Sequence, residues 1–225
     1  MSQQIRYGAI LISGSAVLLL MSVVHPSAIP FGDEVALARM AIVDAFAHSL
    51  AIVGVWLLLV GQAGLSRTLG LQRPMVAAAL LASAMASTGL VVAAALDGFV
   101  IPRIAHEWTG ADATARAGLE QLIRFCVLAA SSLTRIYIMM VALAILLWSW
   151  VIRSDRLDAA LPWVGGIVGL AGFATLFGGP AYVHVHELML LVLGQSVWMV
   201  WAGMWMIRTD RTAAPWREEN PYSQT

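Results

Sequence analysis

The sequence predicts an all-α fold, a polytopic membrane helix bundle, and three observations carry that reading. Of the 225 residues, 60% are hydrophobic and only 12% are charged. Soluble domains carry about 25% charged residues, so a soluble globular fold is excluded. The mean hydropathy is +0.81, and the apolar residues lie in runs of spanning length. The single cysteine, Cys126, excludes an intrachain disulfide and any zinc site built on several thiolates. A net charge of zero gives no electrostatic footprint for nucleic acid.

About 20 apolar residues cross a bilayer core as a helix, and six segments qualify in chain order. The first runs from Tyr7 to Val24. Arg6 followed by an apolar run imitates a signal peptide, but the run exceeds a usual signal core, so an uncleaved span is predicted. The second covers Ile42 to Ala63 and the third Met75 to Ile101. The fourth covers Leu122 to Val151, the fifth Leu161 to Phe177 and the sixth Glu187 to Ile207. Connections are short except for Pro102 to Gln121, which reads as an outer loop. One membrane domain accounts for residues 1–225.

Every basic residue is arginine, and their placement predicts orientation. Cytoplasmic segments carry an excess of basic residues. With both termini cytoplasmic, Arg6, Arg67, Arg73, Arg153, Arg156, Arg208, Arg211 and Arg217 fall inside. Arg39, Arg103, Arg116 and Arg124 fall outside. A bacterial-type inner membrane fits that pattern. Trp148, Trp150, Trp163, Trp205 and Trp216 then fall near the inner boundary, where an aromatic belt is expected. Gly165, Gly169 and Gly172 share one face of the fifth span, and Ala82, Ala86 and Ala93 share a face with Asp97 on the third. Small residues so spaced let helix backbones approach closely.

The same topology puts all five histidines on the extracytoplasmic side. His25 ends span one, His48 lies inside span two, His106 follows span three, and His184 and His186 precede span six. Asp44 and His48 stand i, i+4 and share a helix face. An ionisable residue within a span is a functional candidate by default. His48, His184, His186 and His25, with Asp44, form a candidate site for zinc, copper or iron, the carboxylate serving as ligand or as orienter of a ring. The glycines and Pro180 before His184 favour an extended backbone through His186, which would point both imidazoles one way. Arg135, near the middle of span four, needs a buried partner, and Asp97 and Asp44 are the acidic residues inside spans. Asp97 is the preferred one. Arg124, Ser131 and Arg135 make a polar stripe with Thr134 and Tyr137 beside it.

Three functions fit these residues, and a fourth, a small transporter, is disfavoured by the lack of internal repeats and broken helices. A metal site in the outer half of the bundle would activate water or oxygen if the protein is a metal-dependent membrane enzyme. A non-catalytic subunit of a larger membrane complex would use its helices mainly to pack against partner subunits and lipid. A carrier of haem b would use two histidines as axial ligands and arginines on the propionates.

Overall fold

In a hydrocarbon layer a helix satisfies every backbone group within its own segment, and the apolar runs here wind accordingly. The computed structural model describes residues 1–24, 34–178 and 185–219, with the side chains of 34, 37, 38, 176–178, 185–188 and 211–219 outside that description. Among the described residues all regular structure is helical. The elements are α1 (Gln3–Val24), α2 (Glu34–Leu69), α3 (Pro74–Ala95), a π-helical turn (Leu96–Val100), α4 (Ile101–Thr109), α5 (Ala113–Ser154), α6 (Leu161–Gly178) and α7 (Val185–Glu219).

Five described segments are long and apolar enough to cross a membrane: Gln3–Val24, Arg39–Leu69, Pro74–Thr109, Ala113–Ser154 and Met189–Asp210. The segment expected as the fifth span, Leu161–Thr175, is apolar but shorter. The outward faces are apolar as well. On α2, Ile42, Phe46, Val53, Trp56 and Val60 stay exposed on the side away from the core. A helix apolar all round belongs in a membrane or a large core, and these faces have no core to cover them among the described residues.

The six long elements close into a ring in chain order. α1 packs on α2, α2 on α3, α3 on α5, α5 on α6, α6 on α7, and α7 returns to α1. Glycines permit the closest seams. A Cβ on Gly203 would stand 2.7 Å from the Gly8 carbonyl oxygen, and a Cβ on Gly61 would stand 2.7 Å from the Leu11 Cα. The glycine face of α6 meets α5 at Leu146 and Ala142, the close approach that its spacing predicts.

The start of α1 and the stretch of α7 around Asp210 lie at one end of the ring, the terminal end. Ser2 Oγ donates to Asp210 Oδ2 at 2.6 Å, and Gln4 Nε2 donates to Thr209 Oγ1 at 2.8 Å and to the Met206 carbonyl at 2.9 Å. This terminal end also carries the turns between α2 and α3 and between α5 and α6. Arg73 clamps Asp155 there through both carboxylate oxygens, Nη2 to Oδ1 at 2.9 Å. The guanidinium holds the Asp155 carboxyl below its ordinary range and is itself raised by it. Gly70, at φ +92°, ends α2 in the left-handed conformation that glycine adopts without a Cβ penalty. Asp158 Oδ1 caps α6 by accepting from the Leu161 amide at 2.8 Å.

The connection read as an outer loop, Pro102 to Gln121, is largely helix. α4 buries Ile101, Ile104 and Ala105 against Met40, Ile123 and Cys126. Asp112 accepts from the Ala115 amide at 2.9 Å and starts α5, while the Arg116 guanidinium sits 4.9 Å over the Trp108 ring. Apolar run length marks where a helix leaves hydrocarbon, not where it ends, and a cap with a small apolar cluster carries these helices onward.

The aromatic belt is also only partly as expected. Trp150 and Trp163 are exposed, with Arg153 4.3 Å over the Trp163 ring. Trp148 is fully buried and stacks on Trp198 with ring centroids 6.1 Å apart. Its indole N–H donates to Ser66 Oγ at 3.1 Å. Trp205 is also largely buried, and the Trp216 side chain lies outside the described residues. Trp148→Ala should therefore destabilise the bundle by about 3–5 kcal/mol, the usual cost of emptying a packed aromatic site. Trp150→Ala should stay within about 0.5 kcal/mol, as surface changes do. Thermal unfolding of both variants in detergent checks the contrast, and equal shifts would contradict it.

Candidate functional site

The site begins with a proline. Pro102 has no amide hydrogen, and its ring crowds the carbonyl four residues earlier, which here belongs to Gly98. The chain responds by widening one turn. The Ile101 amide donates to the Leu96 carbonyl, a π-type bond across Leu96–Val100. Such turns are often found at functional sites. This one carries Asp97 and Gly98 towards α2.

His48 fills the space so created. It is 4% exposed, and Asp44 one turn away is 6% exposed. A Cβ on Gly98 would overlap the His48 Cβ and Cγ, so only glycine lets the His48 side chain come this close to the π-turn. His48 Nδ1 lies 2.8 Å from the Asp44 carbonyl oxygen and 3.0 Å from Asp44 Oδ1. Two acceptors facing one nitrogen assign the hydrogen to Nδ1. Nε2 lies 3.3 Å from Asp97 Oδ2. Two lone pairs facing at that distance repel, so either Nε2 or the Asp97 carboxyl carries a further proton. The imidazole is thus held between a buried Asp44 and a half-exposed Asp97.

Below the cluster, towards the terminal end, lies a cavity of about 210 Å³ between α1, α2, α3, α5 and α7. His48, Asp97, Ser131, Thr134 and Tyr137 give it polar groups, and Leu18, Leu90 and Val192 are among its apolar walls. Small-molecule sites combine an apolar lining with a few placed polar groups in this way.

The structure brings Asp44, His48 and Asp97 together. Arg135 stands half-buried on α5, one turn beyond Ser131. His48 stands between the two aspartates, with Nδ1 towards Asp44 and Nε2 towards Asp97. His25 and His184 lie outside the described residues, as does the side chain of His186. The backbone of His186 belongs to the first turn of α7, which replaces the extended pairing expected for it. His106 is exposed on α4. Among the described residues no three histidine, cysteine, aspartate or glutamate side chains gather to hold one metal ion. The geometric reason is that Asp44 and Asp97 occupy opposite ring nitrogens of one imidazole.

Sequence reasoning missed Gly98, and it missed the pairs Gln62 with Ser83 and Tyr137 with Gln195, which lie deeper in the bundle. A signal was present for each. Gly98 and Pro102 stand i, i+4 in an apolar segment, and Gln62 continues the His48 face at i+14.

Fold and site define a helix bundle suited to a membrane, with an ionisable cluster and a cavity inside it. The chain matches no protein-family model, no curated protein and no solved structure.

Gly98→Ala should drive a methyl group into His48 and cost about 1–3 kcal/mol, the usual range for overpacking. Gly118, in α5, has open space around it. Gly118→Ala should instead be neutral or stabilising by up to about 1 kcal/mol through helix propensity. Melting curves of the two variants decide, and a Gly98→Ala protein as stable as wild type would show that the imidazole does not rest on the turn.

Proposed function

We propose that the protein spans a bacterial-type inner membrane six times with both termini cytoplasmic, and that its working site is the cavity beneath Asp44, His48 and Asp97. The cavity takes a small molecule with an apolar body and a cationic or hydrogen-bond-donating head, and the head sits against Asp97. The observation that carries this reading is a buried His48, backed by a buried Asp44 and facing a half-exposed Asp97, on the wall of an otherwise largely apolar cavity. Ionisable groups at membrane depth are costly and mark sites of function.

Two features support six crossings. The Ser2–Asp210 hydrogen bond joins the start of α1 to α7 near Asp210 on one face, which is in keeping with an even number of passes. α6 completes the ring and supplies the remaining one. Arg67, Arg73, Arg153 and Arg156 gather at the same end, and the basic excess assigns it to the cytoplasm. A reporter active only in the cytoplasm should work when fused after Thr225 and stay silent in the Thr109–Thr114 connection. The reverse pattern would overturn the orientation.

A second reading rests on one distance. His48 Nε2 and Asp97 Oδ2 lie 3.3 Å apart, a span that one zinc ion can bridge at about 2.0–2.1 Å from each. Nδ1 bonded to a carbonyl is also the usual state of a ligating histidine. Further ligands would come from His25, His184 or His186, and the ion would activate water.

Native mass spectrometry of the protein taken from its own membrane separates these readings. The first expects an organic added mass that Asp97→Asn loses, since a hydrogen bond to a charged group contributes about 1.5–3 kcal/mol, or tenfold and more in affinity. Stoichiometric metal on elemental analysis, lost in His48→Gln, favours the second. A Soret band would indicate haem. With neither mass nor metal, both readings fall.

A further inference from the structure

Two helices of this bundle stop at the terminal end on a left-handed residue, and the residues differ. α2 ends on Gly70, which adopts that conformation without penalty. α5 ends on a paired motif. The Arg156 amide donates to the Arg153 carbonyl and the Leu157 amide to the Ile152 carbonyl, each at 3.1 Å. That ending calls for a left-handed residue, usually glycine. Arg156 fills it at φ 54° and is the one non-glycine residue at positive φ among the described residues. An L side chain is strained there, and strain kept at one residue points to a use for its side chain.

One turn earlier, the Arg153 guanidinium lies 4.3 Å over the ring of Trp163 on α6. Stacking steadies a guanidinium and leaves its N–H edge open for an anion. Among the described residues that edge meets no carboxylate. Both acidic residues of the turn are engaged elsewhere. Asp155 is clamped by Arg73, and Asp158 Oδ1 accepts from the Ala160 and Leu161 amides at 2.9 and 2.8 Å. The corner therefore keeps a positive charge, carried by Arg153 and Arg156. An apolar lane leads away from it. Trp163, Ile167 and Leu170 stand i, i+4, i+7 on α6 and are 60–69% exposed, and Gly166 between them has open space around it. Trp150, one turn before Arg153, is exposed as well. Exposed tryptophans of a membrane bundle sit at headgroup level. That depth sets the Arg153 guanidinium beside lipid phosphates and the Ile167–Leu170 stripe in hydrocarbon.

We infer that this corner binds an acidic phospholipid, with the headgroup phosphate on Arg153 and Arg156 and one acyl chain along Trp163, Ile167 and Leu170. A guanidinium presents paired N–H donors that match two phosphate oxygens. The arginines favour an acidic headgroup over a zwitterionic one, whose own cation they repel. The apolar lane favours a lipid over free phosphate. A lipid seated there touches α5 through Arg153 and α6 through Trp163, and so ties the start of the shorter helix to its neighbour. The site lies on the outside of the ring and rests on the membrane setting, not on the cavity or its occupant.

The test is native mass spectrometry of the full chain in a mild detergent, with dioleoylphosphatidylglycerol, dioleoylphosphatidylcholine or inorganic phosphate added. Wild type should retain phosphatidylglycerol about tenfold more tightly than phosphatidylcholine, since each arginine beside an anionic lipid is worth about fivefold in affinity. Arg153→Gln should weaken phosphatidylglycerol about fivefold. Arg156→Gly should weaken it as much and, because it relieves the backbone strain, should melt no lower than wild type. Arg116→Gln is the control. Arg116 also stacks on an indole, that of Trp108, but it donates to the Thr109 carbonyl at 3.2 Å and lies at the opposite end of α5, so this variant should bind like wild type. Arg156→Gly carries the test if Arg153→Gln does not fold. Equal retention of the two lipids by wild type overturns the proposal, as does unchanged phosphatidylglycerol binding in either folded variant. Displacement of the lipid by millimolar inorganic phosphate would mark a site for free anions and overturn it as well.

Discussion

A buried polar group in hydrocarbon has no water to turn to, and that constraint organises this molecule. Each such group must find a partner within the protein, and an ionised one is costlier still. The bundle answers at three levels. Serines and threonines facing lipid or a helix seam close on the preceding turn of their own helix. Polar groups facing the centre pair across helices. The two aspartates within the spans stand on either side of one imidazole.

The third arrangement depends on a local break of helix regularity. A straight α-helix through Asp97 would give no reason for glycine at the next position. Pro102 disturbs the bond pattern, the turn Leu96–Val100 widens, and the wider turn carries Asp97 to the ring while Gly98 makes room for it. Packing elsewhere works by the same device on a larger scale. Gly8 with Gly203, and Gly61 with Leu11, bring backbones close enough for α1 to sit between α2 and α7. Without a hydrophobic drive between helices in lipid, such close contact supplies much of the association.

The cavity follows from the same geometry. Helices in a ring around a centre leave space where their facing side chains are small, and Ala51, Ala93, Ala94 and Ala130 line the cavity wall. Larger groups close the centre further on. Trp148 and Trp198 stack there and satisfy their indoles on Ser66 and on the Leu161 carbonyl. The bundle is thus loose beside His48 and tight near the terminal end, and the Tyr137–Gln195 pair lies between the two regions.

The sequence by itself determined the helical class, the membrane-suited composition and the place of each apolar run, because those depend only on the local density of apolar residues. It also marked Asp44 and His48 as neighbours, because a separation of four on a helix is a contact. It did not mark the helical hairpin after Ile101, since the cap at Asp112 and the cluster around Met40 involve residues distant in the chain. Nor did it place Asp97 on His48. Those residues are 49 positions apart, and their meeting depends on which helices are neighbours and on a turn that widens. The inward burial of Trp148 has the same origin. Its side of α5 is fixed by α2 and α7, not by any signal within its own helix. Tertiary structure decided the ring order and with it the site, because contact between helices is set by the complementary shapes of whole faces, and no single segment encodes its partner's face.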